Sequence, residues 1–164
     1  MIYFTGDEHF GHKNAIKYCN RPFSDVDEMD REIIKRHNEV VGDDDTVYHL
    51  GDFTINKKKR DKYLSQLNGK HIFIKGNHDK EGYDILEIKV DGQDIVLCHY
   101  AMRVWNKSHY GSWELYGHSH GTLEPIGKQL DVGVDTNNFY PYSFEDIKKR
   151  LDGYTRSVLY WLYK

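Results

Sequence analysis

The sequence predicts an α/β domain, and three observations carry that reading. Through the first half, apolar runs suited to strands alternate with helix-spaced amphipathic segments, which favours parallel strands joined by helical crossovers. The second half opens on a hairpin signal and is richer in strands. At 164 residues, 38% hydrophobic and 30% charged, the chain has material for one sizeable core and little for two. Residues 1–164 are therefore expected to form a single domain.

Ile2-Tyr3-Phe4-Thr5 reads as a buried strand stopped by Gly6. Residues 14–19 read as a short helix, broken at Arg21-Pro22-Phe23. Ser24 or Asp25 then caps a longer helix with Val26, Met29, Ile33 and Val40 at helical spacing, ended by Gly42 before the solvated turn Asp43-Asp44-Asp45. Residues 46–50 form the second strand. Asn56 opens a helix with Tyr63, Leu64 and Leu67 inward, closed by Gly69. Residues 72–74 form the third strand. Further on, residues 85–90 and 94–98 flank Asp91-Gly92-Gln93, a hairpin connection. Residues 113–116 and 129–134 are strand candidates. Ser143 caps a small helix with Phe144, Ile147 and Leu151 inward, and Asp146 completes a capping-box-like pair. Residues 156–163 alternate well enough for a terminal strand.

The bulk charge excludes some functions. A net charge of -3 offers no overall attraction to nucleic acid or to an anionic membrane, so a polyanionic partner needs a local patch or bound metal. Cys19 and Cys98 lie far apart and fit no paired motif, which suits a reducing cytoplasm. The N-terminus meets Asp7 too soon for a signal-peptide core, and no apolar run approaches the ~20 residues that span a bilayer.

The chemistry gathers at the ends of the apolar runs. Five of them finish in metal-competent side chains: Asp7 and His9, Asp52, Asn77 and His78, His99, then His118 and His120. In open sheets flanked by helices, the carboxyl ends of strands form the ligand crevice, which would bring these scattered residues together. Asp7 and His9, like His118 and His120, are two apart. In extended backbone such pairs point the same way, so each pair is expected to chelate one centre. Asp7, His9, Asp52, Asn77, His99, His118 and His120 are too many donors for one ion and suit two with a shared carboxylate. Imidazole and carboxylate without thiolate suit Mn, Fe, Zn or Ni. Two such ions ~3.5–4 Å apart can share a hydroxide and clamp both oxygens of an in-line phosphoryl displacement.

The ordered set Asp7-x-His9, Gly51-Asp52, Gly76-Asn77-His78-Asp79, His99 and Gly117-His118-x-His120 resembles the calcineurin-like metallophosphoesterase superfamily. A lone Gly-Asp or His-x-His is weak evidence, whereas the full set in order is specific. The resemblance implies a four-layer α-β-β-α sandwich, two mixed sheets with helices outside. It implies that Asp7, His9 and His120 hold a first metal, that Asn77, His99 and His118 hold a second, and that Asp52 bridges. It also implies that His78 binds a phosphate oxygen and protonates the leaving group, with Asp79 orienting the loop or the imidazole. The implied reaction is hydrolysis of a phosphodiester, or a monoester, by a metal-bridging hydroxide, with Mn best able to support activity. Gly51-Asp52-Phe53-Thr54 lacks the extension of the phosphoprotein phosphatases. Phe10-Gly11-His12, Arg21-Pro22-Phe23 and Tyr48-His49-Leu50 instead resemble small phosphoesterases of bacteria and phages.

Other residues admit two readings. His12 is either a helix cap or an extra phosphate contact. His49 packs in the core or orients a ligand, and His37, His71 and His109 are surface or packing residues. Lys57-Lys58-Lys59-Arg60 suits a solvated helix turn better than a nucleic-acid patch. The segment holding Arg103, Trp105, Lys107, His109 and Tyr110 is expected to overhang the cleft, either as a contact in which Arg103 would clamp a phosphate and Trp105 stack on a base or as a lid packed only for structure. Cys98 reads as buried packing. A nucleotide or small phosphate ester is thus the expected substrate. Long nucleic acid is disfavoured by the acidic net charge, and a non-catalytic scaffold is disfavoured because every motif residue is present.

Overall fold

The computed structural model describes residues 1–152, so the strand expected at 156–163 lies outside the described residues. The alternating first half builds one sheet. β1 (Ile2–Thr5), β2 (Thr46–Leu50) and β3 (Lys70–Ile74) run parallel, with Phe4 beside Tyr48 and Tyr48 beside Ile72. The second half builds the other sheet from β4 (Ile85–Val90), β5 (Gln93–Cys98), β6 (Trp113–Tyr116) and β7 (Gln129–Asp131). Here β4 and β5 are antiparallel, whereas β5, β6 and β7 are parallel. A two-residue strand that the sequence did not announce, β8 (Tyr142–Ser143), pairs antiparallel with β1. The sheet orders are β3-β2-β1-β8 and β4-β5-β6-β7, two mixed sheets with helices as expected.

Side-chain alternation explains the layering. Phe4, Leu50 and Ile74 point to one face of the first sheet and meet Ile95, Leu97, Trp113 and Leu115 of the second. Burying each such side chain contributes about 1.5–3 kcal/mol. Tyr3 and Val47 point the other way. On that side α2 (Val26–Val40) supplies Met29 and Ile33 to a cluster with Phe10, Phe53 and Tyr63. The α2 start is set by Asp25, whose carboxylate accepts from the Glu28 amide at 2.8 Å. The stripe on α2 differs from expectation at its end. Val40 is exposed, and His37 takes the fourth buried place because its Nε2 bonds the Asn68 carbonyl at 2.9 Å. The short helix α1 (Lys13–Tyr18) precedes α2, and α4 (Phe144–Asp152) buries Phe144, Ile147 and Leu151 between the sheets' edges. Ser143 caps α4 by accepting from the Asp146 amide at 3.1 Å.

Three expected elements are shorter than the pattern suggested. The helix after Asn56 is a 3-10 turn, Lys57–Lys59, followed by α3 (Arg60–Leu64) only. Ser65 Oγ and Gln66 Nε2 both donate to the Lys62 carbonyl, at 3.1 and 2.7 Å, and this competes with continued helix. β7 stops at Asp131 rather than 134 because the Asp131 carboxylate accepts from the Gly133 amide, two residues on, at 2.9 Å. The β4–β5 loop is Asp91-Gly92, with φ of +48° and +84°, which is the two-residue hairpin turn that matches strand twist. Among the described residues no helix is long and apolar enough to cross a membrane.

Candidate metal centre

All the motif residues follow the carboxyl ends of parallel-paired strands. Asp7 and His9 follow β1, Asp52 follows β2, and Asn77 and His78 follow β3, while His99 follows β5 and His118 and His120 follow β6. Hydrogen bonds join neighbouring loops within each sheet. The Asp7 amide donates to the Gly51 carbonyl at 2.9 Å, the His9 amide to Asp52 at 3.0 Å, and the Gly117 amide to His99 at 3.1 Å.

The motif residues fall into two groups of donor atoms, and His120 also stands in a third with Cys19 and Asp135. Asp7, His9 and His120 form one and Asp52, His99 and His118 the other, each with donors within 4.8 Å of one another. Asp52 stands between them. Its Oδ2 is 3.8 Å from His9 Nε2, 3.6 Å from His99 Nε2 and 3.9 Å from His78 Nε2. Asn77 Oδ1 lies 3.1 Å from His99 Nε2, which adds it to the second group.

The backbone reaches this arrangement by a route the residue spacing did not suggest. Asp7, His9, Asp52, His118 and His120 all have φ between +47° and +65°, in the left-handed region. Each such residue costs roughly 1–3 kcal/mol, and strain of this kind collects at functional sites. The extended-backbone argument therefore fails for His118 and His120. The left-handed turns send them to different groups.

Glycines allow the close approach. A Cβ on Gly51, at φ +95°, would lie 2.7 Å from Gly76 Cα and would also strike His99 Nδ1. A Cβ on Gly117 would meet Asp7 Oδ2 at 2.6 Å.

Neighbouring groups orient the donors. His99 Nδ1 bonds the Leu50 carbonyl at 2.7 Å, so Nδ1 carries the proton and Nε2 offers its lone pair toward Asp52 and Asn77. His120 Nδ1 lies 2.6 Å from Asp135 Oδ2. Burial opposes charge on His120, yet the bonds from Asp135 and Cys19, with Asp7 nearby, push it up to about 10. The Asp79 carboxylate accepts from the Asp52 amide at 2.6 Å and the Gly76 amide at 3.0 Å, so it orients the loop. The His78 amide donates to Asp52 Oδ1 at 2.9 Å, while the His78 side chain is 45% exposed.

The donor set suits a cation. Burial, with Asp131 and Asp52 nearby, holds the Asp7 carboxyl well above the usual range against the pull of His120. Burial holds His9 down to about 2, so its imidazole is neutral. Asp7 Oδ1 and His9 Nδ1 are buried without a hydrogen-bond partner among the described residues. Such atoms cost about 1–3 kcal/mol each when left unpaired, and a bound cation relieves the cost at an unpaired carboxylate oxygen.

Some expected contacts are not formed. Trp105 is buried and its indole N–H donates to the Ser112 carbonyl at 3.2 Å, so it offers no stacking face to a base. The segment from 100 to 112 is the crossover between parallel β5 and β6, and it leads away from the cleft. Asn106 bonds Glu87 at 2.8 Å, Lys107 bonds Asp94 at 3.0 Å, and Met102, beside Arg103, accepts from Gln129 at the start of β7. Gln129 pairs with Glu114, four residues or ~13 Å of strand before His118. Arg103 is exposed there. His12 occupies the N-cap position of α1 without a capping bond. Its ring lies 5.4 Å from His9 and 6.2 Å from His78.

Other groups were missed. Arg21, which read as part of a helix break, is buried beside Asp7 and Asp135. Asp135 ends an apolar run as the motif residues do, and that was its available signal. Glu8, between two motif residues, is buried with Oε1 2.6 Å from His49 Nδ1. His49 Nε2 continues to His71 Nδ1 at 2.9 Å, so His49 supports the loop through Glu8 rather than through a donor.

The chain is similar to several known proteins. The family model for calcineurin-like phosphoesterases matches residues 1–155. An uncharacterised protein of Methanocaldococcus jannaschii is 40% identical over 161 residues, covering 92% of this chain and 91% of that protein. The gene 66 protein of Mycobacterium phage L5 is 38% identical over 81 residues, covering 47% of this chain and 39% of its own. A crystal structure of a protein of unknown function from Aquifex aeolicus superposes with a TM-score of 0.75 at 27% identity, covering 92% of this chain and 98% of that one. On the family match, the M. jannaschii relative and the ordered motif residues gathered in one cleft, the chain belongs to the calcineurin-like phosphoesterase family.

Proposed function

We propose that the protein is a metal-dependent phosphoesterase that hydrolyses phosphodiester bonds in a nucleotide or other small phosphate ester, with monoesters as a further substrate class. The observation that supports this best is Asp52, whose Oδ2 lies within 3.8 Å of imidazole nitrogens from both donor groups. In this reading Asp7, His9 and His120 hold one divalent transition-metal ion, Asn77, His99 and His118 hold another, and Asp52 serves both. Nitrogen-rich donors suit Mn, Fe, Ni or Zn. Such ions supply Lewis acidity and an activated water at neutral pH.

The chain's own groups do the remaining work. The His78 loop is fixed to Asp52 through the backbone, which leaves its half-exposed imidazole free to bond a phosphate oxygen and to protonate the leaving oxygen. Asn77 and His118, also exposed, line the same rim, and His12 stands beside His78 as a further phosphate contact. An open rim accommodates a substituted phosphate, which favours diesters. Both cysteines are free, in keeping with a reducing cytoplasm.

The test combines metal content with turnover. Purified protein is expected to carry up to two transition-metal ions per chain and to cleave bis-p-nitrophenyl phosphate faster than the monoester when Mn is added. Asp52→Asn is expected to abolish the rate. If the metal-loaded protein cleaves neither ester, or Asp52→Asn changes nothing, the reading fails. Cyclic nucleotides, dinucleoside polyphosphates and short oligonucleotides, assayed with Mn and with Ni, then identify the substrate class.

A further inference from the structure

Arg21 follows α1 with its side chain fully enclosed. Its guanidinium joins two loops that are more than a hundred residues apart in sequence. Nε and Nη2 grip the Asp135 carboxylate as a fork, both at 2.8 Å. Nη2 also donates to the Asp7 carbonyl at 2.6 Å, and Nη1 to the Glu8 carbonyl at 2.9 Å. The planar fork is what permits this, since a carboxylate and two carbonyls must be met at fixed angles at once. Asp135 then passes the constraint on, because its Oδ2 holds His120 Nδ1 at 2.6 Å. In the neutral ring that bond assigns the Nδ1 proton and leaves Nε2 as the donor nitrogen. His120 stacks on His9 at 5.4 Å, so one guanidinium sets the backbone of Asp7 and the ring of His120 against each other.

We propose that Arg21 is a positioning residue for one half of the metal centre: through Asp135 and the Asp7 and Glu8 carbonyls it assembles Asp7, His9 and His120, whereas it bonds none of Asn77, His99 and His118, which it reaches only through the Asp7 carboxylate that accepts from the His118 amide at 2.7 Å. The inference rests on the reading that two ions bind. The second group has its own support, namely the Leu50 carbonyl on His99 and the Asp79 carboxylate on the Asp52 and Gly76 amides, and none of these touches Arg21. The effect of losing Arg21 is therefore expected to be selective. Removing a residue that orients a ligand costs about 10–100-fold in metal affinity.

The experiment titrates Mn into metal-stripped full-length protein and follows stoichiometry by calorimetry and the Mn electron paramagnetic resonance signal. Wild type is compared with Arg21→Lys, which keeps the charge and loses the fork, and with Asp135→Asn, which keeps the shape and loses the charge. Both variants are expected to bind one Mn with wild-type affinity and the other at least tenfold more weakly, converting a spin-coupled pair signal to an isolated-ion signal. Circular dichroism and metal-free thermal unfolding monitor the fold, and Asp135→Asn carries the test if Arg21→Lys does not fold. Two ions bound with wild-type affinity in the folded variants would overturn the proposal. So would equal weakening of both ions together with a lowered metal-free melting temperature, which marks a purely structural ion pair. If wild type itself binds fewer than two ions, the two-metal reading fails instead, and the outcomes are distinct.

Discussion

Replacing Glu114 by Gln should stabilise the protein, and by an amount that grows with pH. Glu114 lies on β6, on the face opposite Trp113 and Leu115, and is fully buried. Its Oε2 accepts from Gln129 Nε2 at 2.6 Å, but Oε1 is buried with no partner among the described residues. Burial, against the pull of Gln129 and the Met102 backbone, pushes its carboxyl from 4.5 up to about 8. Because the folded value is raised, the stability this group contributes is fully present below pH 4.5 and is lost as pH rises towards 8. At about 1.4 kcal/mol per pH unit, the loss is on the order of 3 kcal/mol at pH 7 and 5 kcal/mol above pH 8. The glutamine amide has the shape of the protonated acid and does not titrate. Thermal unfolding at constant Mn should therefore show Glu114→Gln matching wild type near pH 4.5. It should melt several degrees higher at pH 7, at about 2–4 °C per kcal/mol for a chain of this size. A difference that is constant across this range, or a loss of stability at pH 8, would refute the burial argument.

Three further outcomes are expected. Gly51→Ala, which puts a methyl 2.7 Å from Gly76 Cα at φ +95°, should cost about 3 kcal/mol or more in denaturant unfolding and displace His99, so one metal is lost; unchanged metal content would contradict this. Burial lowers His37 and His71 to about 4 and His49 to about 3, so the stability they contribute is present above their usual 6.5 and lost as pH falls towards 4. In a metal-free Glu114→Gln background, urea unfolding should therefore weaken between pH 7 and 4.5, and a His37→Phe variant should show a shallower slope. His78→Ala should keep nearly all the metal while the rate collapses, most for poor leaving groups; loss of metal would mean that His78 is a ligand.

What the sequence made legible follows from what is local. The Asp91-Gly92 turn, the Asp25 and Ser143 caps and the alternation of β1 to β3 are set by neighbours within a few residues, and they were readable as such. The motif set named the strand ends that meet. Period-two reasoning misjudged how they meet, because left-handed φ at His118 and His120 depends on loops packed from both sheets. Arg21, Asp135 and the Glu8–His49–His71 chain acquire their partners across 13 to 114 residues of sequence, beyond any local pattern. β8 is two residues long, too short to show a period. The stacking face expected of Trp105 is buried because the parallel crossover that carries it returns to the opposite end of the sheet.

Anomalous diffraction from Mn-soaked crystals tests the shared role of Asp52 most directly. Two peaks are expected, roughly 3.5–4 Å apart, on either side of the Asp52 carboxylate. One should lie beside Asp7, His9 and His120 and the other beside Asn77, His99 and His118. A single peak, or two peaks that do not share Asp52, would contradict the two-ion centre.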